Sequence, residues 1–296
     1  MNRPEVTYIL TPICDTFIYR YLYTLNKYSE PDTYRVILID QIENGISNEL
    51  WQKIKPWVNL YIHPVKNQLG YAKAMNEGIV HALHWKTPLI CCSNDDVEIM
   101  DSRWMQGIRD TFAKDERIVG VCPMSPRVAG WGYGVDYNPE ILPYKEEYTK
   151  EDYDYLIHGD FTESTAKLPT TYPRKPAGTI IDGAVFVMPY FKREIFEEIG
   201  MFDERFFPGS GEDMDFMARA YQKNKRIVST SYSWMWHEWS KSKDLYASGE
   251  LERPYYKPKE YWNNMGEIWP KGHDPWGKDK DGNILPRVEE IYSEPI

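Results

Sequence analysis

Three places in the sequence concentrate groups that can do chemistry. The first is Asn94-Asp95-Asp96, directly after the apolar run Leu89-Ile90-Cys91-Cys92-Ser93. Adjacent carboxylates repel unless a cation or hydrogen-bond donors compensate them. Hard oxygen donors of this kind suit Mg²⁺ or Mn²⁺, with substrate phosphates completing the shell. The plainer alternative is an Asx turn that caps the next helix. The second place is Glu212-Asp213-Met214-Asp215, at the head of a helix-like segment. A carboxylate there can act as a general base, or only complement a helix N-terminus. The third is His237, among Trp234, Trp236 and Trp239. Its imidazole can join a metal shell or pack as one more aromatic ring.

These groups need a frame. Val6-Thr7-Tyr8-Ile9-Leu10-Thr11-Pro12 reads as a first strand stopped by Pro12, and Tyr34 to Asp40 as a second strand that also ends in an acid. Val58 to Ile62 gives a third, and the run before Asn94 a fourth. Helices are predicted between them at Phe17 to Lys27, at Ser47 to Lys55 with Ser47 as N-cap, and at Tyr71 to Trp85. Another helix, Ser102 to Lys114, and a strand, Ile118 to Cys122, follow. Strand alternating with helix predicts βαβ units and a mainly parallel sheet. Ligands of such sheets bind outside the carboxyl ends of the strands, so Asp40, Asp95 and Asp96 are expected at one edge.

The pattern loosens over 123–178, rich in Pro, Gly and Tyr. A stretch this long without periodicity is expected to be a functional insertion or a lid. Thr179 to Met188 reads as one buried strand, Phe191 to Ile199 as a helix ended by Gly200, Glu212 to about Asn224 as a helix, and Arg226 to Thr230 as a strand. Two parts are expected: 1–239 as the main domain, and 240–296 as an aromatic, Pro-rich extension wrapped on it through Trp262, Trp269 and Trp276.

Composition narrows the classes. A net charge of -10 disfavours nonspecific gripping of a polyanion. No apolar run is long enough to span a membrane, and the first residues carry no signal-peptide pattern. The four cysteines form no CxxC pair, which points to buried thiols in a reducing compartment and not to a zinc site. The expected location is cytoplasmic, either free or peripheral to a membrane. His63, His81, His84, His158 and His273 are read as structural or solvent-exposed.

Several segments then fall into one order: Val6 to Pro12, the strand ending in Asp40, Gly70-Tyr71-Ala72-Lys73-Ala74-Met75-Asn76-Glu77-Gly78, and Asn94-Asp95-Asp96. Asp182-Gly183-Ala184, Gly200-Met201-Phe202-Asp203-Glu204-Arg205-Phe206-Phe207, Gly211 to Phe216 and His237 follow. In order and spacing, residues from about 5 to 240 resemble a family 2 glycosyltransferase. The resemblance implies an α/β GT-A (Rossmann-like) fold, with a central mainly parallel sheet flanked by helices. It also implies inverting, metal-dependent transfer from a nucleotide-diphosphate sugar (UDP-, GDP- or dTDP-linked). The acceptor hydroxyl would belong to a glycan, a lipid-linked sugar or another molecule.

By the same resemblance Thr11, Asp40, Gly70, Asn76, Asp95 and Asp182 hold the nucleotide sugar. Asp40 would accept from a nucleobase N–H, Gly70 would let backbone approach the nucleotide, and Asp95 would reach the ribose or the metal's water. Asp96 and His237 would bind Mn²⁺ (or Mg²⁺), the imidazole leaning toward Mn²⁺. Asp213 would be the base and Glu212 would orient the acceptor. The chain departs from the family pattern in three places. Asn94 stands first in the DxD motif, two residues separate Asn67 from Gly70, and the turn after Asp40 reads Gln41-Ile42-Glu43-Asn44-Gly45 without the usual Ser or Thr. A sugar-phosphate nucleotidyltransferase would need a Gly-rich basic loop where Thr11-Pro12-Ile13-Cys14-Asp15 stands. A non-catalytic carbohydrate-binding or scaffold protein on the same fold would have no use for Asp96, Asp213 and His237 together.

Overall fold

The computed structural model describes residues 4–15, 17–30, 32–63, 68–99, 102–124, 180–207, 209 and 211–237. In chain order the elements are β1 (Val6–Leu10), α1 (Ile18–Tyr28), β2 (Tyr34–Ile39) and α2 (Asn48–Ile54), then one 3-10 turn (Lys55–Trp57). β3 (Leu60–Ile62), α3 (Tyr71–Trp85), β4 (Leu89–Ser93), β5 (Val97–Ile99), α4 (Trp104–Phe112) and β6 (Ile118–Met124) follow. The last group is β7 (Ile180–Asp182), β8 (Tyr190–Lys192), α5 (Glu194–Ile199), α6 (Glu212–Gln222) and β9 (Arg226–His237). Most of the expected insertion and all of the expected extension, Asn67 and the three extension tryptophans included, lie outside the described residues.

The apolar runs become the middle of the sheet. β1 and β4 are buried along their whole length, as strands covered on both faces must be. The strand order is β3-β2-β1-β4-β8-β6-β9-β5, with β7 beside β9. β1 pairs parallel with β2 and β4, and β2 with β3. β8 is antiparallel to both β4 and β6, so β6 regains the direction of β4, and β9 runs parallel to β6. Six strands therefore share one direction, and their carboxyl ends form one edge. β5 and β7 oppose it.

Two segments differ from the sequence expectation. The single strand expected from Thr179 to Met188 stops at Asp182, because Gly183 turns to φ +96°. The chain returns to the sheet only at Tyr190–Lys192, so the helix expected from Phe191 is shortened to Glu194–Ile199. β9 continues past Thr230 to His237, which makes the histidine the last residue of a strand.

Packing holds the catalytic side in place. α3 lies on β1, β2 and β4, and α4 on β6 and β9. At Gly78, α3 approaches β1 so closely that a Cβ would sit 2.3 Å from Ile9 Cγ2. Phe186, Phe191, Phe196, Phe202 and Phe216 are buried against one another, with ring centroids such as Phe202–Phe216 at 5.0 Å and Phe191–Phe216 at 5.1 Å. Edge-to-face and tilted arrangements of this kind add to the burial of the rings themselves, and they fix α6 beneath its N-terminal loop.

Candidate active site

The acidic turn after β4 is placed by two pairings. Asn94 N–H donates to the Val187 carbonyl at 2.8 Å, continuing the β4 ladder one step past the strand. β5 then doubles back on the end of β9 with Val97 opposite His237. That register sets Asp96 beside the imidazole, with Nε2 3.2 Å from Oδ1 and side-chain exposures of only 6% and 13%.

Asp95 sits in the same corner. Its Oδ2 is buried and has no hydrogen-bond partner. Burial first, and the charge of Asp96 second, push its carboxyl up to about 7; its own amide and His237 pull the other way. Two carboxylates and an imidazole, with one oxygen unmatched, fit a divalent cation, whose charge would reverse the repulsion. Among the described residues, no group of three or more His, Cys, Asp or Glu is close enough to enclose a metal by itself. Asp96 and His237 are the pair that could hold a cation here, and they would leave its other positions for substrate oxygens and water.

The second acidic cluster divides into different jobs. α6 opens behind Gly211, and the Asp213 carboxylate accepts the Met214 N–H at 2.8 Å. The amides of Phe186 and Gly211 lie near enough to favour its charged form. Burial raises its pKa, and those amides restrain the rise. Phe186 directly precedes Val187, whose carbonyl accepts from Asn94, so one segment runs past both the acidic turn and Asp213. Glu212 is buried next to it. The Tyr71 phenol, at the head of α3, donates to Cys92 O at 3.4 Å. Its ionisation is pushed up by burial, then by the charges of Cys92, Glu212 and Asp213. Asp215 instead binds Arg219 at 2.7 Å, and Arg219 also donates to the carbonyls of Ile199 and Met201 at 2.6 and 2.9 Å. Asp215 is thereby a clamp between α6 and the segment after α5.

On the β2 side two expected nucleotide contacts are buried and hydrogen-bonded within the fold. Asp40 is fully buried. Its Oδ1 accepts the Ile42 N–H at 2.9 Å, and its Oδ2 accepts the Ile46 N–H at 2.9 Å and the Tyr61 hydroxyl at 2.6 Å. The carboxylate is spent on shaping its own loop and shows no surface to a ligand. Asn76 is also buried. Its Nδ2 donates to Phe202 O at 2.8 Å and its Oδ1 accepts Phe202 N–H at 3.0 Å, so it brackets one residue of the segment leading to α6.

Thr11 and Gly70 remain at the strand-end edge. Gly70 has φ +75°, a conformation that side chains disfavour, and it lets the chain turn directly into α3. Asp182 lies on β7 opposite Val228 of β9. A residue not singled out from sequence joins these loops. Gln41 donates through Nε2 to Thr11 O at 3.2 Å and accepts Leu69 N–H at 2.8 Å, while its own amide donates to Pro12 O at 3.0 Å. The ends of β1 and β2 and the approach to α3 are tied through this one buried amide. The signal was a polar residue directly after the strand-terminal acid, where the family pattern has a smaller hydroxyl.

This arrangement agrees with comparison to known proteins. The sequence profile of glycosyl transferase family 2 matches residues 9–200, and the chain belongs to that family, as a glycosyltransferase that uses a nucleotide sugar. No curated protein matches it in sequence. Solved structures share the GT-A architecture. The mannosyltransferase PcManGT from Pyrobaculum calidifontis, in complex with GDP-Man and Mn²⁺, is 13% identical with a TM-score of 0.53, covering 90% of this chain and 70% of its own. S. aureus TarS 1–349 with UDP-GlcNAc is 14% identical with a TM-score of 0.55, covering 89% and 65%. GalNAc-T7 with UDP, GalNAc and Mn²⁺ is 15% identical with a TM-score of 0.50, covering 90% and 55%. Among the described residues no helix is long and apolar enough to cross a membrane.

Proposed function

We propose that the chain is an inverting, metal-dependent glycosyltransferase. Its donor would be a UDP-, GDP- or dTDP-linked sugar, and its acceptor the hydroxyl of a glycan, a lipid-linked sugar or a similar molecule. The observation that carries this reading is the nearness of the two acidic corners. Val187 O accepts the Asn94 N–H, and the amide of the residue before it, Phe186, lies close enough to Asp213 to hold its pKa down.

Asp96 and His237 would hold Mn²⁺ or Mg²⁺, and Asp95 would face its water shell or the donor ribose. The cation would stabilise negative charge on the departing diphosphate. Asp213 takes the proton from the acceptor hydroxyl as that oxygen bonds to the anomeric carbon. The bond from that carbon to the diphosphate breaks on the opposite face, its electron pair leaving with the nucleoside diphosphate, so the anomeric centre inverts. A base with a raised pKa suits this role, because proton transfer is best when acid and base strengths are near the working pH. Glu212 orients the acceptor. Thr11, Gly70 and Asp182 serve the donor directly, with Asp40 and Asn76 supporting the loops behind them.

Titration calorimetry of UDP, GDP and dTDP, with and without Mn²⁺, tests the reading. One nucleotide is expected to bind in a metal-dependent way, and binding by none would sink it. Asp213→Asn is expected to abolish transfer while leaving nucleotide affinity within about twofold; loss of both would place Asp213 elsewhere.

A further inference from the structure

The Asp96–His237 pair hangs on a very short strand. β5 has three residues and stands last in the strand order, beside β9. A slip of one residue there would turn its side chains over, and three residues of ladder offer few bonds to prevent it. α1 packs on this strand. The buried Thr24 hydroxyl oxygen accepts the Ile99 N–H at 3.1 Å. The hydroxyl proton is directed back into the helix, where the Arg20 and Tyr21 carbonyls lie at 3.0 and 3.1 Å. One turn earlier on the same face of α1, the Arg20 guanidinium forms an ion pair with Glu98. The Glu98 side chain is 10% exposed and that of Arg20 38%. Successive residues of β5 are thus held from α1, one through its charge and the next through its backbone. The scheme above uses neither contact.

Resting on the metal-dependent reading above, we infer that Arg20 and Thr24 are positioning residues for the Asp96–His237 pair, holding β5 in the register that sets Asp96 beside the imidazole. Asp96 directly precedes Val97, which lies opposite His237; Glu98 follows opposite Trp236 and Ile99 opposite Met235. β9 is fixed further along by β6 and β7. A displacement of β5 therefore carries Asp96 away while His237 stays. Arg20 acts through charge. Glu98 is the third acid in the run Asp95-Asp96-Val97-Glu98, and a buried carboxylate that loses its cation is strongly disfavoured. Without the guanidinium, Glu98 gains by turning toward water, and the short strand has little to oppose that motion. Thr24 resists the same motion at the backbone of Ile99. Neither side chain is a ligand in this scheme; both act through β5.

The test is titration of the full chain with Mn²⁺ in the presence of UDP and, separately, of GDP. Binding is followed by loss of the free Mn²⁺ electron-spin-resonance signal, with Tm measured alongside. The variants are Arg20→Met, Arg20→Lys, Thr24→Val, and Arg20→Met combined with Glu98→Gln. Arg219→Met is the control, because it breaks an ion pair of α6 and not of β5. Arg20→Met should weaken Mn²⁺ binding about tenfold, and Thr24→Val about threefold. Arg20→Lys keeps the charge, and the double variant removes it from both partners, so each should return to within about twofold of the wild type. Arg219→Met should lower Tm and leave Mn²⁺ binding unchanged, which separates positioning from general loss of stability. Unchanged Mn²⁺ binding by Arg20→Met overturns the inference while the transferase reading stands; should that variant fail to fold, unchanged binding by Thr24→Val does the same. A loss in Arg219→Met as large as that in Arg20→Met also overturns it. A wild type that binds no Mn²⁺ with either nucleotide overturns the metal-dependent reading and this inference with it.

Discussion

Asn76→Ala separates a brace from a ligand contact. The Asn76 amide lies at the buried face of α3 and makes two short bonds to the backbone of Phe202, with a third, at 3.2 Å, to Glu204 Oε1. Truncation removes the partner of one buried N–H and one buried C=O. Each such group left unsatisfied costs about 1–3 kcal/mol. The Glu204 bond is partly exposed and adds little. Some relaxation of the Phe202 segment is available, so the expected loss is roughly 2–4 kcal/mol. For a chain of this size that corresponds to a fall in Tm of about 3–6 °C. The assay is urea and thermal unfolding followed by circular dichroism, paired with calorimetric binding of the preferred nucleotide below the transition. Stability should fall while nucleotide affinity changes by less than about threefold, because the amide is turned away from the donor edge. Transfer should fall more than binding, since Phe202 leads into the loop that places Glu212 and Asp213. A stability change under about 1 kcal/mol together with a tenfold loss of nucleotide affinity would refute the reasoning and return Asn76 to the ligand.

Three further outcomes follow from the same contacts. Asp213 is raised by burial in the fold, so the folded state holds its proton more tightly than the unfolded chain. Its contribution to stability therefore falls as pH rises from the ordinary carboxylate value through the folded one, and kcat/KM should fall on the acid side with a midpoint above the usual carboxylate range. Asp213→Asn should raise Tm at neutral pH as it abolishes turnover; a lowered Tm would contradict the assignment of burial as the dominant cause. Gly78→Ala drives a methyl into Ile9 and should cost about 1–3 kcal/mol in urea unfolding, with α3 displaced from β1; an unchanged midpoint would show that α3 sits higher on the sheet. Arg219→Met leaves Asp215 buried without its guanidinium partner and should cost about 3 kcal/mol, whereas Asp215→Asn combined with Arg219→Met should cost less than the sum of the two, measured as a double-mutant cycle.

The sequence made the edge legible and left its wiring hidden, for a physical reason. β1, β2 and β4 are buried runs between turn signals, and acids just past such runs must lie at their carboxyl ends in a parallel sheet. Residue type and element order suffice to place Asp40, Asp95 and Asp96 there. What each group does depends on partners distant in the chain. Asp40 reads as a ligand contact until Tyr61, Ile46 and Ile42 are seen to occupy it. Asn76 reads as part of a nucleotide loop until Phe202 occupies both ends of its amide. β8 was illegible because Tyr190–Lys192 lies between an apolar run and a helix, and three residues carry no period; its antiparallel place between β4 and β6 is set by pairing alone. Register decides the most consequential pair. Val97 opposite His237 brings Asp96 to the imidazole, and a shift of β5 by one residue would turn its side chains to opposite faces. At this edge the acids that sequence identifies are held among neighbours that it does not, so testing Gln41, which ties the Thr11 and Leu69 loops, bears on the shape of the edge as directly as testing Asp40 itself.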